Sequence, residues 1–330
     1  MKKLFLLSLC AVTMMVSCTK EQDQPTPQDG AAITRATAAA PKLISYVEIN
    51  DTNPLNVGSY YMGAKPFYDI AILFAANIHV DSYGNPALYF NDKLAPVMAD
   101  VAKYVKPLQA KGIKVSLSIL GDHTGLGVAN MTDDQAEKFA SILAEVVTKY
   151  GLDGIDFDDE YAKYGENGFP YANSTSYSNL INKLRGKLTS DKLVTVFDWG
   201  NADTIDATAA GNLSYAWQGA FGPSNYRPTS IASLPNSKWS PQALNLRSNY
   251  NVFTLKAVAA KSTLAKNEGM GAIMTYDIRK ASEKSPLPVL KKIAEGAFAG
   301  AAVTYNGEEF ARDIVPVPAG KTITFGDLPL

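Results

Sequence analysis

Short apolar segments alternate with longer segments along the chain from residue 43 onward. The short segments are rich in β-branched and aromatic residues, which is typical of buried strands, and the intervals between them are long enough to hold helices. The pattern predicts eight strands, over 43–50, 69–77, 113–120, 152–158, 193–199, 213–217, 243–246 and 271–278. The signal is weakest for the strand over 243–246.

The clearest helix signal lies between the third and fourth strands. Thr132 and Gln135 have the spacing of a capping box, and apolar residues then recur at helical spacing. These features predict a helix over 133–149. Similar patterns predict further helices over 92–110, 176–187 and 253–266.

Eight strands separated by crossovers predict an α/β fold, a (β/α)8 TIM barrel spanning 42–300. A doubly wound open sheet is the alternative. No glycine-rich phosphate loop follows the first strand, where residues 50–53 read Asn-Asp-Thr-Asn, and this argues against a nucleotide-binding fold. Residues 301–330 lack helical periodicity and predict a short C-terminal β-like appendage.

The N-terminal residues have the pattern of an export signal. Lys2 and Lys3 precede an apolar run over 4–16 that is too short to span a bilayer. The residues before Cys18 resemble a lipobox, which predicts a lipoprotein signal peptide over 1–17 and lipidation of Cys18. An ordinary secretory signal and a transmembrane helix are the alternatives.

Residues 18–41 are rich in Thr, Gln, Asp, Pro and Ala and contain almost no large apolar residues. Such a segment buries no face, so we expect a flexible tether. The polar and acidic residues directly after Cys18 resemble export signals of surface lipoproteins in some Gram-negative bacteria. We therefore expect an outer-membrane lipoprotein at the cell surface, attached only through its lipid. A periplasmic or secreted protein is the alternative.

The composition of the chain excludes several kinds of partner and functional site. The 330 residues contain 31 Lys and Arg against 32 Asp and Glu, a balance that argues against a nucleic-acid partner. Two Cys exclude a disulfide framework or a Cys-rich zinc module, and two His argue against a His-built metal site. We expect a monomer without metal or cofactor, whose chemistry rests on carboxylates, hydroxyls or amides.

The fourth predicted strand carries acids at alternate positions, Asp156, Asp158 and Glu160. Alternate residues of a strand share one face, so Ile155 and Phe157 take the other. Strands inside a parallel barrel are normally apolar, and barrel active sites lie at the carboxyl ends of the strands. Clustered acids raise one another's pKa, and a protonated acid beside an ionised one suits glycosidic bond cleavage.

Two other interpretations of these acids are a solvated acidic loop and a metal site. The alternation with Ile155 and Phe157 argues against the loop. A calcium loop requires a glycine and later ligands that the segment lacks.

Residues 153–160 match the DxxDxDxE signature of glycoside hydrolase family 18. The chain resembles the endo-β-N-acetylglucosaminidases of the endoglycosidase H and F type over most of 43–300. The resemblance implies hydrolysis of the GlcNAc-β-1,4-GlcNAc linkage in the core of N-linked glycans (EC 3.2.1.96), on free glycans or glycoproteins. Further matching segments are 46–50, 55–58, 74–77, 120–125, 215–217 and 274–276.

The resemblance also implies a substrate-assisted retaining mechanism. Glu160 would protonate the leaving oxygen and later activate water. Asp158 would orient the substrate's 2-acetamido group, whose carbonyl attacks the anomeric carbon. Asp156 would tune Asp158 by sharing a proton or hydrogen bond.

The chain departs from the family pattern at two hydroxyls. Many relatives carry a Tyr after the sixth strand, where this chain has Ala220 or Phe221, and the endoglycosidase H type has a Tyr where this chain has Phe197. Each lost hydroxyl costs about 1–3 kcal/mol of transition-state stabilisation unless it is replaced. A surface glycan-binding lipoprotein with a degenerate barrel and a chitinase-like hydrolase are therefore the alternative functions.

The remaining candidates for substrate binding are amide and aromatic side chains. Gln218 offers an amide donor, and Asn77 is a candidate for sugar hydroxyls or for loop capping. Trp199, Trp217, Tyr276 and Phe221 are candidates for contact with sugar rings, with packing in the core as the alternative for Trp217 and Tyr276.

Overall fold

The computed structural model describes residues 39–329. The predicted signal peptide, Cys18 and all but residues 39–41 of the predicted tether lie outside the described residues.

Fourteen strands and nine α-helices lie within 39–329. The strands are β1 (Lys42–Glu48), β2 (Tyr60–Met62), β3 (Lys65–Pro66), β4 (Ile70–Val80), β5 (Pro86–Phe90), β6 (Lys114–Gly121), β7 (Gly154–Asp158), β8 (Leu193–Asp198), β9 (Tyr215–Gln218), β10 (Trp239–Ser240), β11 (Ala243–Asn245), β12 (Ala272–Tyr276), β13 (Val303–Tyr305) and β14 (Lys321–Ile323). The helices are α1 (Leu94–Ala99), α2 (Val101–Tyr104), α3 (Lys106–Ala110), α4 (Asp133–Tyr150), α5 (Ser176–Lys187), α6 (Ala207–Asn212), α7 (Val252–Asn267), α8 (Ala281–Lys284) and α9 (Leu287–Ala297).

The main sheet is a nearly closed parallel barrel. Its hydrogen-bonded order is β10-β9-β8-β7-β6-β4-β1-β12-β11. The two short strands β10 and β11 share the seventh position, since β10 pairs with β9 and β11 pairs with β12. Between them, the carbonyl of Gln242 accepts a hydrogen bond from Met274 N at 3.2 Å. Eight strand positions are thus filled, which confirms the TIM barrel over the open sheet.

The helix α4 begins and ends at local sequence signals. Thr132 Oγ1 accepts from Gln135 N at 3.2 Å, and Gln135 Oε1 accepts from Thr132 N at 2.9 Å. The helix ends at Gly151, whose φ of 61° is the left-handed conformation that glycine adopts without strain. Phe139 and Leu143 are buried on its inner face, as their spacing predicts.

The helix predicted over 92–110 is three short helices. The first break lies at Asp100, whose backbone angles are not helical. Its side chain accepts a hydrogen bond from Lys103 N at 3.1 Å. Pro107 has no N–H to donate to the Lys103 carbonyl, so a continuous helix loses a hydrogen bond there.

Two barrel connections contain no α-helix. A 3-10 helix (Pro54–Ser59) and the β2–β3 hairpin follow β1. Residues 219–238 follow β9 and contain only the 3-10 turn Asn236–Lys238.

Two short strands lie in the C-terminal residues, and they complete the edges of two sheets. The strand β13 pairs antiparallel with β2, and β14 pairs antiparallel with β5. Each pairing covers an edge whose backbone groups would otherwise be open. Within residues 39–329, no helix combines the length and apolar character needed to cross a bilayer.

Candidate active site

The strand β7 directs its acids into the barrel. Ile155 and Phe157 are fully buried in the apolar layer between sheet and helices. Asp156 and Asp158, on the opposite face, are buried inside the barrel. The predicted division of the two faces is therefore confirmed.

Asp156 is held by side chains from four other strands. Its carboxylate accepts hydrogen bonds from Tyr46 Oη, Ser118 Oγ at 2.9 Å, Thr195 Oγ1 at 2.6 Å and Trp217 Nε1 at 3.1 Å. Burial raises the pKa of Asp156 to about 6, although these donors favour the ionised form. The site can therefore hold a proton on Asp156 just below neutral pH.

Asp158 is buried with an unsatisfied oxygen. Its Oδ1 has no hydrogen-bond partner among the described residues. Burial raises the pKa of Asp158 well above its usual value, and the negative charges of Glu160, Asp156 and Asp159 raise it further. The negative charge of Asp156 thus acts on Asp158, while a proton or hydrogen bond shared between the two acids stays a prediction. An unpaired carboxyl oxygen here is available to a donor on a ligand.

Glu160 lies just beyond β7 and is half-buried. Partial burial raises the pKa of its carboxyl, and the charge of Asp159 adds to the effect. Its carbonyl accepts from Gly121 N at 3.1 Å, which attaches this segment to the end of β6. The next residue, Tyr161, has a φ of 59°, an uncommon conformation for a large side chain.

Asp159 is a further residue of the site that was not among the predicted ones. Its carboxylate accepts hydrogen bonds from Tyr164 Oη, from Asn201 N at 2.8 Å and from Asn201 Nδ2 at 2.8 Å. The signal available in the sequence was a further acid inside the signature, at its variable position between Asp158 and Glu160. Its partner Asn201 lies 42 residues further along the chain, and no local pattern identifies it.

Asp158 and Glu160 line a cavity of about 320 Å³. This volume lies in the range of small-molecule sites. Polar, acidic and aromatic side chains line it together: Tyr46, Glu48, Phe74, Leu120, Asp158, Glu160, Tyr161, Phe197, Gly219, Phe221 and Tyr276.

Aromatic rings form one wall of this cavity. Phe221 stacks on Tyr276 with ring centroids 4.5 Å apart, and Phe197 stacks on Phe221 at 5.4 Å. The predicted contact residues Phe221 and Tyr276 therefore reach the cavity. Three tyrosines, Tyr46, Tyr161 and Tyr276, also line the cavity.

Four predicted binding residues lie elsewhere. Trp217 is 0% exposed, so the prediction of sugar stacking is wrong and the core alternative holds. Asn77 is absent from the cavity lining, and its Nδ2 donates to the Gly121 carbonyl at 3.3 Å, which fits the capping alternative. Trp199 and Gln218 line a second cavity.

A parallel barrel with carboxylates below an aromatic cavity at the ends of its strands is typical of glycoside hydrolases. The profile described as "Glycosyl hydrolases family 18" matches residues 43–220, and the chain belongs to this family.

Curated relatives extend the similarity over nearly the whole chain. An endo-beta-N-acetylglucosaminidase of Flavobacterium sp. (strain SK1022) is 38% identical over 290 residues, which cover 86% of this chain and 87% of the relative. Endo-beta-N-acetylglucosaminidase F1 of Elizabethkingia meningoseptica is 32% identical over 323 residues, 94% of this chain and 93% of the relative.

A solved structure supports the fold. EndoBT-3987 of Bacteroides thetaiotaomicron, solved with a Man5GlcNAc product, superimposes with a TM-score of 0.71 at 24% identity. The alignment covers 87% of this chain and 66% of that one. The same enzyme has been solved with a Man9GlcNAc2Asn substrate.

Proposed function

We propose that the protein is an endo-β-N-acetylglucosaminidase that hydrolyses the GlcNAc-β-1,4-GlcNAc linkage in the core of N-linked glycans (EC 3.2.1.96). The observation that carries this proposal is the placement of Glu160 and Asp158 together at one cavity. The relatives named as enzymes of this activity support it. The substrate is a free N-glycan or a glycoprotein.

Glu160 acts first as the general acid. Partial burial of Glu160 and the neighbouring charge of Asp159 raise the pKa of its carboxyl, which favours the protonated form that a general acid needs. Glu160 gives this proton to the leaving oxygen, and its carboxylate later accepts a proton from the attacking water.

The nucleophile in this proposal is the substrate's own 2-acetamido carbonyl, which forms an oxazolinium intermediate. The unpaired Oδ1 of Asp158 accepts the acetamido N–H. In the free protein, burial and neighbouring acids raise the pKa of Asp158. The N–H donor and the developing positive charge favour its ionised form, so Asp158 stabilises the intermediate. Asp156 tunes Asp158 through charge.

One observation favours a second function, glycan binding with weak catalysis. Phe197 and Phe221 bring apolar rings to the cavity, and a ring binds a sugar without activating it. The hydroxyls of Tyr161 and Tyr276 at the same cavity support the enzyme.

Incubation with a high-mannose glycoprotein tests the proposal. We expect a mass loss that leaves one GlcNAc on each Asn, and Glu160→Gln is expected to abolish it while sparing binding. Binding without release by the wild type would support the glycan-binding alternative. Cleavage confined to GlcNAc polymers would support a chitinase.

We also propose that the chain is a monomeric lipoprotein of the outer membrane, exposed at the cell surface. Residues 1–17 are its signal peptide, Cys18 carries the lipid, and 18–41 tether the barrel over 42–300 with its appendage over 301–330. Metabolic labelling with a fatty acid is expected to mark the wild type and not Cys18→Ala. Protease treatment of intact cells distinguishes the cell surface from the periplasm.

A further inference from the structure

A second cavity, of about 510 Å³, adjoins the one above the acids. The two cavities share Gly219 as a lining residue. The second lies between the loop after β8 and the helix-free connection over 219–238. A long connection without regular structure at a barrel mouth is commonly functional.

Hydrogen bonds join the two loops that form this cavity. Asp198 Oδ2 accepts from Thr229 Oγ1 at 2.8 Å and from Ser230 N at 2.7 Å, and Asp198 Oδ1 accepts from Ser230 Oγ. The cavity is therefore formed before any ligand arrives. A preformed site binds with a smaller loss of loop entropy.

Trp199 presents an apolar ring at this cavity. It is 46% exposed, whereas the other two tryptophans, Trp217 and Trp239, are buried. Its ring is seated on Gly219, where an added Cβ would lie 2.8 Å from Trp199 Cε3. An exposed indole held in one position is suited to stacking on the apolar C–H face of a sugar ring.

Polar groups surround the indole. Gln218 is 2% exposed; its Oε1 accepts from Ala220 N at 3.1 Å, and its Nε2 has no partner among the described residues. A buried, unpaired amide at a cavity wall favours a ligand that brings an acceptor. Asp203 and Arg227 add an acceptor and donors at the solvent side.

We infer that this cavity is a subsite for an uncharged hexose in the mannose branches of the glycan, stacked on Trp199 and hydrogen-bonded to Gln218. The inference rests on the proposed function and extends it to substrate preference. An aromatic ring that stacks on a sugar, beside side chains that hydrogen-bond the sugar's hydroxyls, recognises a pyranose. Because both cavities share Gly219, one glycan can occupy both.

The test compares Trp199→Ala on two substrates, Man9GlcNAc2Asn and a GlcNAc2Asn compound that carries one mannose. We expect the loss in kcat/KM to be about tenfold greater on the branched substrate, which corresponds to about 1.4 kcal/mol for the lost ring contact. Trp199→Phe is expected to restore part of it. The matched control is Phe253→Ala, which removes an aromatic ring that is 76% exposed on α7, and it is expected to change neither rate.

Equal losses on both substrates would overturn the inference, since Trp199 would then only position the loop. A loss seen with an intact glycoprotein but not with Man9GlcNAc2Asn would also overturn it and assign the cavity to the protein part of the substrate.

A measurement of glycan binding distinguishes failure of this inference from failure of the proposed function. In Glu160→Gln, addition of Man9GlcNAc2Asn is expected to change the tryptophan fluorescence, because Trp199 is the exposed tryptophan. The change is expected to disappear in Glu160→Gln/Trp199→Phe. This readout holds even if the wild type cleaves nothing, and an unchanged signal with demonstrated binding would contradict the subsite.

Discussion

Asn201 holds the carboxylate of Asp159 twice, through its backbone N–H and its side-chain amide, each at 2.8 Å. Gly200 fits against the same residue, because an added Cβ would lie 2.3 Å from the Asp159 carbonyl oxygen. The loop that carries Glu160 is thereby attached to the loop that carries Trp199. Asp159 also places a negative charge beside Glu160.

Removal of that charge is expected to change the pH dependence of catalysis. Partial burial raises the pKa of Glu160 first, and the charge of Asp159 raises it further. In Asp159→Asn the pKa of Glu160 falls. A general acid loses its proton as pH rises through its pKa, so the alkaline limb of kcat/KM is expected to move to lower pH. A pH profile of glycan release measures the shift.

Asn201→Ala is the matched control, because it removes the side-chain amide contact to Asp159 and keeps both the backbone N–H contact and the charge. We expect a lower rate with the alkaline limb nearly in place. If both variants move the limb equally, loop geometry and not charge sets the pKa of Glu160.

Asp158→Asn is expected to lower kcat about 10²–10³-fold, because a neutral amide stabilises a positive intermediate poorly. Release of glycan under saturating substrate measures kcat.

A substrate whose 2-acetamido group is replaced by hydroxyl is expected to resist the wild type, because it has no internal nucleophile. Cleavage of that substrate at an undiminished rate would contradict substrate assistance.

Asp156→Asn is expected to stabilise the fold at pH 8. The pKa of Asp156 is about 6 in the folded protein because of burial, above the usual 3.8. The folded state therefore binds the proton more tightly, and stability is lost as pH rises from about 4 through 6. The amide is neutral, its oxygen accepts from Trp217 and Thr195, and its NH2 donates to Tyr46 and Ser118.

The gain in unfolding free energy at pH 8 is expected to reach at most about 3 kcal/mol. Denaturant unfolding at pH 8 and at pH 4 checks the result, and the gain is expected to shrink at pH 4. A gain that is equal at both pH values would show that ionisation of Asp156 is not the cause.

Tyr46→Phe removes a hydroxyl that donates to Asp156. The pKa of Asp156 is expected to rise further, and kcat to fall about tenfold, which corresponds to about 1.4 kcal/mol. Tyr68→Phe is the matched control, since Tyr68 is also buried and its hydroxyl lies 3.0 Å from Thr275 Oγ1, away from the acids. It is expected to cost similar stability and to leave kcat unchanged.

Thr132→Ala removes the hydroxyl that caps α4. We expect a loss of about 1 kcal/mol in the free energy of unfolding, measured with denaturant, and no change in kcat. A large loss of activity in the folded variant would indicate that α4 influences the site.

Local patterns predicted the elements that local physics controls. The alternation around Asp156 and Asp158 assigned their face, because successive side chains of a strand point to opposite sides. The capping residues Thr132 and Gln135 gave the start of α4, because both hydrogen bonds lie within one turn. The break at Pro107 is equally local, but helical spacing alone predicts one continuous helix over 92–110.

The order of the strands and the signature 153–160 are local patterns, and they were sufficient to predict the barrel and the family. Two contacts became known only from the folded chain: Trp217 donates to Asp156 and does not stack on a sugar, and Asn201 donates to Asp159. Such contacts join residues tens of positions apart, and they depend on barrel closure and strand register. Local periodicity carries no information about either, because it records which face a residue takes and not which distant residue it meets there.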